Sequence, residues 1–595
     1  MIRPVHAGAG CALALVSLSG CASEPSVPAP AAGASIAAPG RAAAQPPATT
    51  FIDVAEATGL QFHHFLGATG RYYFPEIMGS GCALLDYDND GDLDAYFLQG
   101  ALLEPGKSFE ESTYPPRGPL PPRNRLFRNE LVSSTGRGGR LAFTDVTEAS
   151  GAGVTGYGMG AATGDYDNDG DVDIYVTNFG PDVLLRNNGD GTLTDVTSGS
   201  GLGDPRWTTS ATFADFDGDG LLDLFVTAYC DFTLKNHHDC FLESGALDYC
   251  GPKAYAPIPG RLYRNLGKGK FADVTSRTGV DLAYGHGLGV VAADLNADGR
   301  TDFYVANDSD ENQLWINGGD QFTNEALVSG AALNEFGEPE AGMGIAIADE
   351  ENDGDLDLFI THLNGEANRL FENNGRGFFD DTTTRRGLGG PSIPFTGFGV
   401  GWFDADNDGD QDLFIANGNV KTEEAAAGSP HPYHQRNQLM IRGPGGSYEE
   451  AGPEWGEGLK LSETSRGAAF GDVDNDGDID ILVSNNNGPA RLLKNGLEDR
   501  GSWVTLRVID ARHRRDAIGA EVRLALADGR ALIRHVRTDG SYLSANDPRI
   551  HFAWRGGAAI REIEVTLAGG GREIIRDVAP GSFATIRAGL PTGRR

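Results

Sequence analysis

Short apolar segments alternate with acidic, glycine-bearing loops along most of the chain, and the arrangement recurs seven times. Each loop is followed by a run rich in β-branched and aromatic residues: LDAYFLQ from Leu93, VDIYVTN from Val172, LDLFVTA from Leu222, TDFYVAN from Thr301, LDLFITH from Leu356, QDLFIAN from Gln411 and IDILVSN from Ile479. Such runs, bounded by turn residues, predict strands. Glycine-punctuated segments such as GSGCALL, GMGAATG, GLGVVAA, GMGIAIA and GFGVGWF come before the loops, so each unit predicts a strand, a loop and a second strand. Two further segments keep step. One precedes the loop, as FIDVAEATGL at Phe51, FTDVTEASGA at Phe143, LTDVTSGSGL at Leu193 and FADVTSRTGV at Phe271. The other follows it, as NRLFRN at Asn124, VLLRNN at Val183, RLYRNL at Arg261, NQLWIN at Asn312, NRLFEN at Asn368, NQLMIR at Asn437 and ARLLKN at Ala490. Loop starts lie 50 to 79 residues apart, which excludes a nonapeptide β-helix repeat. One four-stranded unit cannot bury both faces of its sheet, so seven in series predict an all-β chain with a seven-bladed β-propeller over 50–497.

The loops read DYDNDGDLD from Asp86, DYDNDGDVD from Asp165, DFDGDGLLD from Asp215, DLNADGRTD from Asp294, DEENDGDLD from Asp349, DADNDGDQD from Asp404 and DVDNDGDID from Asp472. Carboxylates at alternate positions, with a glycine sixth for a sharp bend, suit a hard divalent cation that gathers roughly six to eight oxygens. An EF-hand starts similarly but needs a glutamate at its twelfth position and flanking helices, and neither is present. Up to seven Ca²⁺ sites are therefore expected. The alternative for any one loop is a plain Asx-turn hairpin, because Asp, Asn and Gly favour turns unaided.

The formal charge of −36 is extreme until the loops are counted, since they hold 33 of the 84 acidic residues. An acidic surface without Lys/Arg clusters argues against nucleic acid as a partner. Empty loops should repel and loosen, so metal binding should act as folding free energy. At 595 residues the chain exceeds one ordinary core, and a second domain over 498–595 is the expected division.

The first residues predict targeting rather than fold. Arg3 gives a short basic start, Ala7 to Leu18 a mostly apolar stretch, and Leu18-Ser19-Gly20-Cys21 matches the bacterial lipobox. Residues 1–20 are read as a lipoprotein signal peptide, Cys21 as the lipidated residue, and the Ala/Pro-rich 21–49 as a tether. Ala22 is not the aspartate associated with inner-membrane retention, which points to the outer membrane of a bacterial envelope or to the extracellular space. No other stretch is long and apolar enough to span a bilayer. In an oxidising compartment a disulfide among Cys230, Cys240 and Cys250 is expected, with the pairing left open, and Cys82 reads as a free, buried thiol.

The loops with their preceding G-x-G strands resemble the FG-GAP/VCBS repeats of integrin-α-like propellers. After Trp503, SWVTLRV, RRDAIGAEVRL, RHVRTDGSYLSANDPRIHFAW and IREIEVTLAGG resemble the ASPIC/UnbV domain. With HHFLGATGRYYFPEIMGSG at His63 and YCGPKAYAPIPGRLYRN at Tyr249, the chain resembles the cartilage acidic protein family over nearly all of 50–590. That resemblance implies calcium binding and an extracellular or envelope role, with no general established reaction. The integrin-like pattern implies side-chain ligands at loop positions 1, 3, 5 and 9 and a carbonyl ligand at position 7. In this chain they are Asp86, Asp88, Asp90 and Asp94; Asp165, Asp167, Asp169 and Asp173; Asp215, Asp217, Asp219 and Asp223; Asp294, Asn296, Asp298 and Asp302; Asp349, Glu351, Asp353 and Asp357; Asp404, Asp406, Asp408 and Asp412; and Asp472, Asp474, Asp476 and Asp480. The fourth departs with Asn296 at position 3 and Arg300 at position 7, the fifth with the longer Glu351, and the third with Leu221 at position 7.

From Trp503 onward the alternation of apolar and polar residues predicts half-buried antiparallel strands in a small β-sandwich-like domain. Asp539-Gly540-Ser541-Tyr542 reads as a turn followed by an exposed aromatic, open either to recognition or to packing at a domain junction. Histidines at 63, 64, 237, 238, 286, 362, 431 and 434 lack any accompanying catalytic motif, and His64 with Glu76 is the weak candidate pair. The expected function is a calcium-stabilised, lipid-anchored recognition or adhesion module for an envelope or extracellular protein or a glycan, touching membrane through its anchor only and binding through loops on one propeller face. The alternative is an exported enzyme or biosynthetic accessory protein that uses the propeller channel for a small molecule.

Overall fold

The computed structural model describes residues 51–133, 139–422, 429 and 431–589. The signal peptide, Cys21 and the tether expected from the sequence lie outside the described residues. Among the described residues, seven four-stranded antiparallel sheets follow one another through the repeats. The first takes Cys82–Leu85, Asp94–Phe97, Arg125–Asn129 and Phe143–Asp145; the last takes Ser465–Gly471, Asp480–Asn485, Arg491–Lys494 and, as its outermost strand, Ile52–Asp53 from the start of the chain. Ile52 stands opposite Lys494. The F-x-D-V segments therefore end the sheet of the preceding loop rather than open the next, and the copy at Phe51 completes the last sheet.

Strand direction fixes two ends. The innermost strand of each sheet runs into the acidic loop, the second runs away from it and the third returns. All seven loops thus lie at one end. Connections from second to third strand and from each sheet to the next lie at the other, which holds the long insertions. Seven hydrophobic clusters each join two consecutive sheets, and one packs Leu84, Ala95 and Phe97 of the first sheet against Ala469, Leu482 and Leu492 of the last. Those side chains are fully buried, each worth about 1.5–3 kcal/mol for the larger ones.

The remainder forms two further four-stranded sheets. One holds Ser502–Asp510, Arg515–Asp516, Ile550–Trp554 and Ser582–Ala588; the other holds Glu521–Leu526, Ala531–His535, Ile560–Thr566 and Arg572–Ile575. They share one core around Val504, Leu524, Phe552, Trp554 and Ile563. Ser582–Ala588 runs parallel to Ser502–Asp510, a departure from the all-antiparallel expectation that alternation alone could not detect.

The segment 538–547 leaves this domain and enters the space between the inner strands. Thr538 Oγ1 donates to Thr163 O (2.9 Å), Asp539 accepts from Ala292 N and Thr212 Oγ1, and Ser541 exchanges backbone hydrogen bonds with Ile345. Ser541 Oγ accepts from Val400 N, Leu543 O from Ala161 N, and Ala545 pairs with Cys82 and Leu84, while Asp547 N donates to Phe470 O. All seven sheets are touched. Tyr542 is 0% exposed, donates to Met78 O and packs edge-on to Phe398. The exposed-aromatic expectation therefore fails, because this backbone finds its partners on strands hundreds of residues away. The glycines of the G-x-G strands make room: a Cβ on Gly81 would lie 1.6 Å from Leu543 O.

At the opposite end, residues from 65–79, 229–259 and 420–433 cover the channel with Phe74, Met78, Trp207, Tyr229, Phe232 and Tyr255. Cys240 and Cys250 form a disulfide there, and Cys230 and Cys82 are buried thiols. No helix among the described residues is long and apolar enough to cross a membrane.

Candidate metal centres

Each acidic loop is folded by its own side chains. Position 4 takes the left-handed conformation (Asn89 φ 58°, Asn168 φ 61°, Asn475 φ 56°), which asparagine tolerates. The first aspartate then accepts the N–H of the sixth-position glycine in every loop, from Asp86–Gly91 at 3.2 Å to Asp294–Gly299 at 2.7 Å. The ninth-position aspartate is buried and uses both oxygens. Asp94 accepts from Tyr87 N (3.0 Å) and Asn129 N (2.8 Å), and Asp173, Asp223, Asp302, Asp357, Asp412 and Asp480 repeat the arrangement.

What remains points inward. Ligand-type oxygens of Asp86, Asp88 and Asp90 lie within 4.8 Å of one another, as do those of Asp165, Asp167 and Asp173, and of Asp215, Asp217 and Asp223. Asp86 Oδ1, Asp88 Oδ1, Asp167 Oδ1, Asp474 Oδ1, Asp476 Oδ1 and Glu351 Oε2 are buried without a hydrogen-bond partner. Burial, reinforced by neighbouring carboxylates, pushes Asp165 and Asp472 up to about 7. Buried, partnerless, convergent carboxylate oxygens fit a hard cation. Nearby cations leave those atoms free: Lys494 Nζ holds Asp474 Oδ2 (2.6 Å) and Asp476 Oδ2 (2.9 Å), and Arg264 takes Asp217 Oδ2 and Asp219 Oδ2. They act as outer partners that orient ligands. In the fifth loop Glu351 faces Glu350 and Glu372, and Glu372 comes from the third strand of the same sheet.

Two sets of residues were not assigned a role from the sequence. The asparagine ending the third strand reaches back to the preceding loop: Asn187 Nδ2 to Tyr87 O, Asn265 to Tyr166 O, Asn317 to Phe216 O, Asn373 to Leu295 O and Asn495 to Ala405 O. Asn129 of the first sheet reaches Val473 O of the last loop at 2.8 Å. The sixth sheet has Arg442 in that place, and its guanidinium bonds Glu350 of the fifth loop at 2.6 Å. The recurring R-N of each third strand was the available signal. The second set is arginines of the C-terminal domain laid over the loops: Arg549 donates to Asp472 O, Asn475 Oδ1 and Gly91 O, Arg534 to Asn352, Arg514 to Asn168 O, and Arg507 approaches Asp86 at 3.4 Å.

The candidate catalytic pair does not come together as a reacting site. His64 accepts from Asn487 N (3.1 Å), Glu76 accepts from Tyr249 OH (3.2 Å), and burial holds the imidazole down at about 3 and lifts the carboxyl to about 8.

The family model for FG-GAP-like repeats matches residues 165–226, 253–305, 294–360 and 351–415, and that for ASPIC and UnbV matches 510–591. The chain thus joins FG-GAP-like repeats to an ASPIC and UnbV domain. It is homologous to cartilage acidic protein 1, which has the same architecture. The Homo sapiens protein is 25% identical over 337 residues, 55% of this chain and 40% of that one; the Xenopus tropicalis protein is 33% identical over 168 residues, 27% and 25% of the two chains. The chain therefore spans well under half the length of these relatives. Solved structures with a similar outline include an Agrocybe aegerita protein that recognises non-reducing terminal N-acetylglucosamine (15% identity, 63% of this chain and 88% of that one, TM-score 0.34) and YCF48 from Cyanidioschyzon merolae (9%, 70% and 95%, TM-score 0.35).

Proposed function

We propose that residues 50–497 form a closed seven-bladed propeller whose loops hold up to seven Ca²⁺, and that the chain is an exported, Cys21-anchored recognition or adhesion module for a protein or glycan. Closure is supported by the packing of the first sheet on the last and by the Asn129 bond to Val473 O. Bound calcium would neutralise the converging carboxylates of each loop and so stabilise the fold; the protein's own Asn, Lys and Arg partners set their orientation. The homologues named above support an extracellular setting.

The observation that carries the recognition role is where large apolar side chains meet solvent. Tyr114, Leu120, Phe241, Leu282, Tyr284 and Phe336, the last 78% exposed, all belong to connections at the insert end. Exposed apolar surface of this kind marks interaction sites. The loop end is covered by the C-terminal domain, so binding is assigned to the insert end and not to the calcium loops. The channel is filled by 538–547, which disfavours a channel enzyme.

The test is binding of the mature protein to isolated envelope fractions and to a glycan array, beside a Phe241→Ser/Phe336→Ser double variant. Loss of binding with unchanged melting is expected; equal binding by the variant refutes the insert-end assignment. Cys21→Ser should move the protein to the soluble fraction, and persistent detergent-dependent extraction refutes the anchor.

A further inference from the structure

At the insert end the channel opens into a cavity of about 290 Å³, near the lower bound of the roughly 300–1,000 Å³ typical of small-ligand pockets. Its walls are Phe74, Ile77, Met78, Met343, Leu363 and Phe398. The two methionines make a surface that adapts to shape. Two exposed lysines, Lys253 and Lys421, complete the lining. The carboxylate among the lining residues, Asp308, is already engaged by Tyr229 OH at 2.5 Å and Ser309 Oγ at 3.0 Å.

Behind the wall lies a second cation. Arg466 is 0% exposed and its guanidinium sits 4.0 Å from the Phe398 ring centroid. It donates to the carbonyls of Ile77, Gly418, Ser465 and Asn419, and among the described residues it makes no ion pair. A buried guanidinium without a counter-ion leaves a positive potential at the nearest opening. In a chain of net charge −36, this mouth is a cationic spot over an apolar cup.

We propose that the cavity binds a small amphipathic anion, an apolar chain or ring bearing one carboxylate. The apolar body lies against Met78, Met343 and Phe398, and the carboxylate meets Lys253 and Lys421. The inference deepens the reading of the insert end as the binding end and names the chemistry that end selects.

The experiment is calorimetric titration of the calcium-loaded mature protein with decanoate, decanol and decylamine. Decanoate should bind at one per chain, decanol more weakly and decylamine not at all. Lys253→Gln/Lys421→Gln should weaken decanoate about tenfold, the effect of losing one charge-assisted contact, and leave decanol unchanged. Leu363→Trp, which fills the cavity from a half-buried wall position, should abolish both; Leu363→Met, which keeps the volume, should not. Decylamine binding as tightly as decanoate, or decanoate unaffected by Leu363→Trp, overturns the proposal. Absence of any binding also overturns it, while the envelope-binding comparison with the Phe241/Phe336 variant separately decides the insert-end reading.

Discussion

At the loop end, one arrangement is repeated: a first-position aspartate on a glycine N–H, a ninth-position aspartate on two backbone N–H groups, and, in six sheets, an asparagine reaching to the loop before it. At the insert end, no two connections are alike. The long segments differ in length, one carries a disulfide, and their buried contacts are aromatic rather than ionic. The same strands serve both ends. The contrast teaches that repetition marks where the fold is held and irregularity marks where the chain is free to specialise.

Chelation should separate the ends most sharply. At free calcium a thousandfold above Kd each occupied site stabilises by about 4 kcal/mol, so EDTA should lower the melting temperature more than any single substitution. An unchanged melt by scanning calorimetry would remove calcium from the account of the loop end. Next is Tyr542→Ala, which empties a fully buried position where the C-terminal domain meets the insert-end core. It should cost about 3–5 kcal/mol in urea unfolding, and a loss below 1 kcal/mol, on the order of an ordinary surface change, would show that the plug bears no load.

The loop end can then be divided within itself. Asp94→Ala strands two backbone N–H groups and should cost about 3 kcal/mol with or without calcium. Asp86→Ala should cost more with calcium than without, because its free oxygen faces the metal position. Identical calcium dependence in the two variants would erase the distinction between a fold-holding and a metal-facing aspartate.

The smallest effect belongs to the insert end. Burial raises Glu76 from 4.5 to about 8, so the folded state holds its proton more tightly than the unfolded chain does. Its contribution is fully present below about pH 4.5 and is lost as pH rises through 8. With calcium saturating, Glu76→Gln should therefore lose less stability than the wild type between pH 5 and 8; parallel curves would place the carboxyl in contact with water.

The repeats were legible because their physics is local. A loop of nine residues contains its turn, its carboxylates and the start of its strand, and the third-strand asparagine recurs at a readable offset. The phase of the module was not legible, because the pairing of Ile52 with Lys494 leaves no trace near either residue. The plug was not legible either: TDGSYLSAND has the composition of a turn, and only contacts such as Leu84 N to Ala545 O, across more than four hundred positions, turn it into buried structure. The arginines over the loops escaped notice for the same reason. In sequence they are ordinary half-exposed residues of a β-domain, and their acceptors are carbonyls, which every residue possesses.

The N-terminal strand carries a consequence for biogenesis. Ile52–Asp53 leaves the export machinery first, yet its partner Arg491–Lys494 emerges nearly last. Until then Phe51, fully buried in the finished fold beside Phe403, has no seat, and the last sheet has an open edge of the kind that invites pairing with other chains. A chain truncated before Arg491 would keep most of its calcium loops and still display both hydrophobic ends. The strand thus works as a completion check, making every partial chain a visible target for envelope proteases.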